Sequence, residues 1–305
     1  MSVRKEKILS LAGINHGKKL SLAGINHENK SKEELQTLFA KVLNKGMHGL
    51  CFSPYEEGQQ PGDIITEAQI RRRMEIIQPY TKWIRSFSCT DGNELIPQIA
   101  HEYGIKTMVG AWLGSDDEIN KKEIANLIKI AKEGYVDLAA VGNEVMYRGD
   151  LTEDELLDFM QQVKEAIPGI PVGYVDAYYE FAHRPRITEA CDVIFANCYP
   201  YWEGCKLEYS LLYMKDMYHR ALSAANGKRV IVSETGWTNK GQVFHGAEPS
   251  VENAIKYFIN AQKWSEEENI EMFYFSSFDE SWKTGAEGDV GAYWGLWDKN
   301  EKLKY

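Results

Sequence analysis

The chain has no uninterrupted apolar run of about 18 residues, so nothing in it reads as a membrane-spanning helix. The opening "MSVRKEKILSLAGINH" sets basic residues before a few apolar ones, but the apolar stretch is too short and interrupted for a signal peptide. As written the chain reads as cytoplasmic; a form that had lost its export signal would instead belong to the periplasm or the exterior. Cysteine is scarce: Cys51, Cys89, Cys191, Cys198 and Cys205 make an odd set without C-x-x-C spacing, which argues against a disulfide framework or a zinc site and for buried free thiols. The seven histidines are scattered with no H-E-x-x-H, so neither metal nor cofactor is expected. Positive charge is in the minority, 35 Lys and Arg against 45 Asp and Glu. The formal charge of −10 makes nucleic acid and anionic membrane surfaces poor partners and suits a neutral substrate. No linker rich in Pro, Gly or Ser divides the 305 residues, so a single domain is expected, and a monomer.

Aromatic residues, by contrast, are plentiful: 17 Tyr, 11 Phe and 8 Trp, enough to supply flat surfaces for sugar-like ligands as well as a core. Near the start "LSLAGINH" occurs twice, at Leu9–His16 and Leu20–His27. Two short copies do not make a repeat architecture, and residues 1–30 are set apart as an N-terminal extension. From residue 31 the pattern is regular. "SKEELQTLFAKVLNKG" opens with Ser31 and Glu34 in capping-box spacing and reads as a helix leading into the strand "MHGLCFSPY". Further strands are expected at 82–89, 105–113, 136–145, 170–177, 191–201, 229–237 and 270–282. Amphipathic stretches separate them near 68–78, 93–103, 117–133, 152–167, 207–225 and 250–268, with a short one near 181–190. Another capping box starts at Thr152. Short apolar strands alternating with helices indicate a parallel sheet covered on its outside, and eight such units predict an α/β fold of the (β/α)₈ TIM-barrel type over 31–305. An open doubly wound sheet is the alternative.

In such a barrel the C-terminal strand ends face the active site. Four of these ends are unusually polar or aromatic: Gly142-Asn143-Glu144, then Asn197-Cys198-Tyr199-Pro200-Tyr201-Trp202, then Ser233-Glu234-Thr235-Gly236-Trp237, and finally Phe278-Asp279-Glu280-Ser281-Trp282-Lys283. A single glutamate at a strand end is more often a cap or an ion-pair partner, and a single tryptophan is more often packing. The fourth and seventh strands, however, lie across the barrel mouth from one another. Glu144 and Glu234 can therefore flank a cleft, the arrangement that glycoside hydrolysis needs.

The motifs "VGNEV" (141–145), "ANCYPYW" (196–202), "VSETGW" (232–237) and "FDESWK" (278–283) resemble those of glycoside hydrolase family 17, the β-1,3-glucanases and β-glucan transglycosylases. The resemblance runs from about Gly49 to Asp298, and "FSPYEEGQQPGD" (52–63) is similar to the bacterial members. It implies a retaining enzyme acting on laminarin-type β-1,3-glucan, with Glu144 as acid/base and Glu234 as nucleophile, their carboxyl groups about 5–5.5 Å apart. It also implies that Asn143 bonds the sugar 2-hydroxyl, that Tyr199 lies near the nucleophile and that Trp237 stacks on a sugar. Glu280 and Lys283 match a supporting charged pair, and Tyr55, Arg85, Tyr201, Trp202 and Trp282 complete the expected substrate-binding set. For this chemistry Glu144 needs a raised pKa, and Lys283, Tyr199 or Arg85 should stabilise charge on Glu234.

Two features depart from the family pattern. Phe87 stands where members often carry Tyr, removing a hydroxyl from the cleft, and about 45 residues precede the first strand. Other readings are a glucan transglycosylase, a non-catalytic glucan-binding barrel, and Schiff-base chemistry at Lys283, for which no hydrophobic surround is evident to depress its pKa.

Overall fold

The computed structural model describes residues 29–285 and 287–305; the duplicated "LSLAGINH" segment lies outside them. The described residues begin with helix α1 (Lys32–Asn44) and then alternate. Strand β1 (Met47–Cys51) leads to α2 (Glu67–Ile77), β2 (Thr81–Ser86) to α3 (Ile96–Glu102), and β3 (Lys106–Ala111) to α4 (Asp117–Lys132). Strand β4 (Leu138–Asn143) is followed by the single-turn α5 (Val145–Arg148) and by α6 (Glu153–Ala166). Strand β5 (Val172–Ala177) leads to two short helices, α7 (Glu180–His183) and α8 (Pro185–Ala190). Strand β6 (Val193–Asn197) leads to α9 (Ser210–Ala224), and β7 (Arg229–Thr235) to α10 (Val251–Glu267) and β8 (Met272–Tyr274). All eight strands pair in parallel, and β1 pairs with β8, so the sheet closes into the expected barrel.

Local chemistry sets the helix starts. The capping boxes at Ser31/Glu34 and Thr152/Glu155 form as the sequence predicts, and Thr66/Gln69 forms a third. Each such cap satisfies amide groups that the first helical turn leaves unpaired, worth about 1 kcal/mol. After β8 the described residues form only the 3₁₀ turn Gly288–Tyr293, with no α-helix. The place of such a helix in the outer ring is taken by α1, where Phe39 packs against Phe258 of α10 with ring centroids 4.8 Å apart and against Tyr305 at 5.1 Å. Part of the N-terminal segment before β1 is thus a working piece of the barrel wall.

The strands are shorter than their sequence patterns at the C-terminal ends. The pattern expected for β4 reaches residue 145 and that for β8 residue 282, yet pairing stops at Asn143 and Tyr274. The polar and aromatic residues beyond these points leave the ladder to line the barrel mouth. All five cysteines are buried and free, as expected of small apolar side chains. Among the described residues no helix is long and apolar enough to cross a membrane, and no group of His, Cys, Asp and Glu is placed to hold a metal ion.

Candidate active site

Two strands shift register just before they deliver a glutamate. In β4 the pairing passes from Ala140↔Gly173 to Asn143↔Val175, and in β7 from Ala196↔Val232 to Asn197↔Glu234. Each shift puts one extra residue into the glutamate-bearing strand, a bulge of the kind that re-aims side chains beside active sites. At Glu144 the backbone also turns left-handed, with φ 51°, two residues after Gly142 at φ 81°. A Cβ at Gly142 would stand 2.9 Å from the Val145 side chain, so glycine is needed there for space as well as for φ. The left-handed glutamate costs about 1–3 kcal/mol and is held by its neighbours. Its amide donates to the Val175 carbonyl at 2.8 Å.

Glu144 also begins the single-turn helix α5 but makes no side-chain cap for it. Strand β5 does so from outside. The Tyr174 hydroxyl accepts the Met146 amide at 2.9 Å and donates to the Asp176 carboxylate, which lies 3.4 Å from the Tyr147 amide. A cap in trans leaves the Glu144 carboxyl free to face the cleft.

The two glutamates have different surroundings. Glu234 is buried and forms an ion pair with Arg85 Nη1, while the Tyr199 hydroxyl donates to its Oε2 at 2.8 Å. Arg85 is itself buried, its guanidinium 4.2 Å from the Phe87 ring centroid, and its Nη2 donates to Asn143 Oδ1 at 2.6 Å. The phenyl ring at position 87 thus serves as a seat for this cation. Among the described residues Glu144 forms no ion pair. Asn197 Nδ2 donates to it at 2.9 Å, and Asn197 is oriented by the Ser233 hydroxyl at 2.8 Å. Burial, and then the charges of Glu234 and Asp176, outweigh that bond and push the Glu144 carboxyl up to about 7. Of the three groups expected to support Glu234, Arg85 and Tyr199 touch it. Lys283 forms its ion pair with Glu287, at 3.5 Å, and lies 4.2 Å from the Phe275 ring centroid. Burial lowers the Lys283 pKa, but Glu287, Glu280 and Glu234 together raise it, the opposite of what Schiff-base formation asks of a lysine.

The remaining expected binding residues divide by accessibility. Glu280 is buried and accepts from the Trp282 indole at 3.3 Å; Trp282 packs edge-on against Tyr55 at 5.9 Å, and Trp202 is half-buried. Trp237 differs from the expectation of a stacking platform. It is 1 % exposed, its indole N–H donates to the Glu248 carbonyl at 3.0 Å, and its ring lies 5.4 Å from Tyr257 of α10. The cause is strand alternation. Glu234 points into the barrel, whereas Thr235 bonds the Tyr257 hydroxyl at 2.5 Å and so faces the helices, as does Trp237 two residues on. Gly236 lets the chain pass close to β8, since a Cβ there would stand 2.2 Å from the Phe275 carbonyl oxygen. Tyr201 is also enclosed, at 0 % exposure, and donates to the Gln242 carbonyl at 3.3 Å. Trp237 and Tyr201 therefore brace the wall behind the cleft rather than present a ring face to it.

Sequence reasoning missed Asn197, Ser233, Tyr174 and Asp176. Asn197 and Ser233 sit inside recognised motifs, and their polarity at strand ends was a usable signal. Tyr174 and Asp176 lie on β5, whose end carries no such motif.

The family model of the BtgE/BtgC glycoside hydrolase domain matches residues 49–295. The chain belongs to the BtgE/BtgC glycoside hydrolase family. Among members and relatives, it is 29% identical over 262 residues to a glucan 1,3-beta-glucosidase of Candida albicans, covering 76% of this chain and 83% of that protein. The glycoside hydrolase family 17 beta-1,3-glucanosyltransferase of Rhizomucor miehei superposes with a TM-score of 0.77 at 28% identity, covering 86% of this chain and 96% of that one. An endo-laminarinase from Formosa shares the fold, with a TM-score of 0.71 at 19% identity over 87% of each chain. The resemblance to family 17 read from four strand-end motifs therefore holds for this BtgE/BtgC-type hydrolase, and the matched residues include Glu144 and Glu234.

Proposed function

We infer that this glycoside hydrolase cleaves β-1,3-glucan with retention of anomeric configuration, Glu144 serving as acid/base and Glu234 as nucleophile. The observation that carries the reading is the contrast between the two carboxyl groups. Arg85 forms an ion pair with Glu234 and Tyr199 donates to it, while Glu144 forms no ion pair among the described residues and is held up to about 7. A carboxylate paired with an arginine beside a carboxyl group held up in this way divides naturally into a nucleophile and a proton donor. In the first half-reaction Glu234 attacks the anomeric carbon as the proton of Glu144 passes to the departing oxygen. In the second, Glu144 takes a proton from the incoming hydroxyl, whose oxygen bonds the anomeric carbon as the bond to Glu234 breaks. Arg85 fixes the carbonyl oxygen of Asn143, which leaves the amide NH₂ as the group that meets the sugar 2-hydroxyl.

The likeness to a glucanosyltransferase across 96% of that chain favours a second outcome of the same chemistry, in which the incoming hydroxyl belongs to another glucan. Incubation with laminari-oligosaccharides, scored for products longer than the substrate, separates transfer from hydrolysis. The catalytic pair is tested with Glu144→Gln and β-laminaribiosyl fluoride. Fluoride departs without a proton, so the first step survives while the second, which needs a base, slows by roughly 10²–10⁴-fold. A glycosyl adduct on Glu234 should then accumulate and be visible by mass spectrometry of its peptide. An adduct on a different residue, or unimpaired turnover of laminari-oligosaccharides, would refute the assignment.

A further inference from the structure

The loops after β3 and β4 place aromatic surface next to Glu144 that none of the interactions above uses. The β2–β3 register pairs Arg85 with Met108. Met108, and by alternation Gly110 and Trp112, thus share the inner face from which Arg85 reaches Glu234. Trp112 follows the last residue of β3 and is 40% exposed, although most of the other tryptophans are buried. An isolated exposed tryptophan would call for no explanation. This one is fixed from two sides. Its amide donates to the Glu123 carboxylate at 3.1 Å, and the same carboxylate accepts the Cys89 amide at 2.7 Å and the Ser88 and Thr90 hydroxyls at 2.5 and 2.7 Å. Its ring carries the Arg148 guanidinium 4.7 Å from the centroid. Arg148 in turn donates to the Asn143 carbonyl, to the Leu113 carbonyl at 2.9 Å and to Asp150 at 2.6 Å. A rigid, exposed indole is therefore tied through one side chain to the carbonyl immediately before Glu144. Tyr147, 63% exposed, precedes Arg148 in α5.

We propose that Trp112, clamped by Arg148, is a stacking platform for the glucosyl unit on the leaving-group side of the scissile bond, and for the sugar acceptor that later takes its place. The proposal rests on the assignment of Glu144 as acid/base, because the residue that protonates the departing oxygen defines the side on which the leaving sugar lies. The incoming hydroxyl must approach along the path the leaving group vacated, where Glu144 accepts its proton. A preorganised ring beside that path binds an acceptor sugar with little ordering cost and so favours it over water.

Two substrates and two substitutions test this. Laminaripentaose places sugar on both sides of the cleaved bond, whereas β-laminaribiosyl fluoride has no sugar on the leaving side. Trp112→Ala should lower kcat/KM on laminaripentaose about tenfold, the scale of a lost aromatic contact, and reduce transfer from the fluoride to added laminaribiose by a similar factor. Fluoride release in the absence of acceptor should fall far less. Trp112→Phe, which keeps a ring under Arg148, should recover most of both losses. Equal losses on the two substrates would show that the ring only supports the local fold, and an unchanged laminaripentaose rate would show that no sugar rests on it; either result overturns the proposal. Failure of the unsubstituted protein to release fluoride at all would instead overturn the underlying catalytic assignment.

Discussion

At the scale of single residues, Glu144 and Glu234 share a cleft but differ in what faces them. Glu234 has an arginine and a phenol; Glu144 has an amide and two other carboxylates within electrostatic reach. If Glu144 is the acid, the first half-reaction on glucan requires its protonated form. The kcat/KM of the free enzyme should therefore fall as pH rises through about 7, which a pH–rate profile on laminari-oligosaccharides measures. The same shift has a consequence for stability. A carboxyl group that titrates near 4.5 in the unfolded chain and near 7 in the folded one binds more protons when folded between those pH values. Stability contributed by the protonated form is fully present below about 4.5 and is lost as pH rises through about 7. Glu144→Gln should therefore be more stable than the parent at pH 8, on the order of 1–3 kcal/mol in urea unfolding, with the difference gone near pH 4. Activity on glucan would fall while stability rose, the usual sign of a group held in a costly environment for function.

At the scale of elements, the site depends on three local devices: the bulges in β4 and β7, the left-handed turn at Glu144, and the cap that β5 lends to α5. Asp176 belongs to the last of these. It is buried, which pushes its own carboxyl up to about 6, and its charge adds to the upward push on Glu144. Asp176→Asn should loosen the turn and move the alkaline limb of the pH–rate profile to lower pH. A fall in kcat with an unmoved limb would assign Asp176 a purely structural part. These devices also mark where sequence reading stops. The eight strands, the long helices and the capping boxes at Ser31 and Thr152 were legible because each depends on local pattern. Both glutamates were legible because polar residues at the ends of apolar strands stand out. The burial of Trp237 follows from alternation starting at Glu234, whereas the motif resemblance alone points the other way. The Tyr174–Asp176 cap was illegible, since it joins residues on β5 to amides on α5 through a register that only the folded barrel defines.

At the scale of the whole molecule, β1 pairs with β8 and α1 takes the ring position that no α-helix after β8 fills among the described residues. The barrel brings together residues as distant in sequence as Arg85, Asn143, Tyr199 and Glu234, and their side chains form one connected network at its mouth. Closure and strand order were predictable from alternation of strand and helix. The role of α1 was not, because nothing in a sequence states that the last strand lacks a following helix until the ring is closed. The central claim is that this mouth supports a double displacement through Glu234. Proton NMR of the first-formed products from laminari-oligosaccharides, recorded before mutarotation, tests it most directly. Initial release of the β-anomer is the result expected of a retaining enzyme with these two carboxyl groups; initial release of the α-anomer would contradict it.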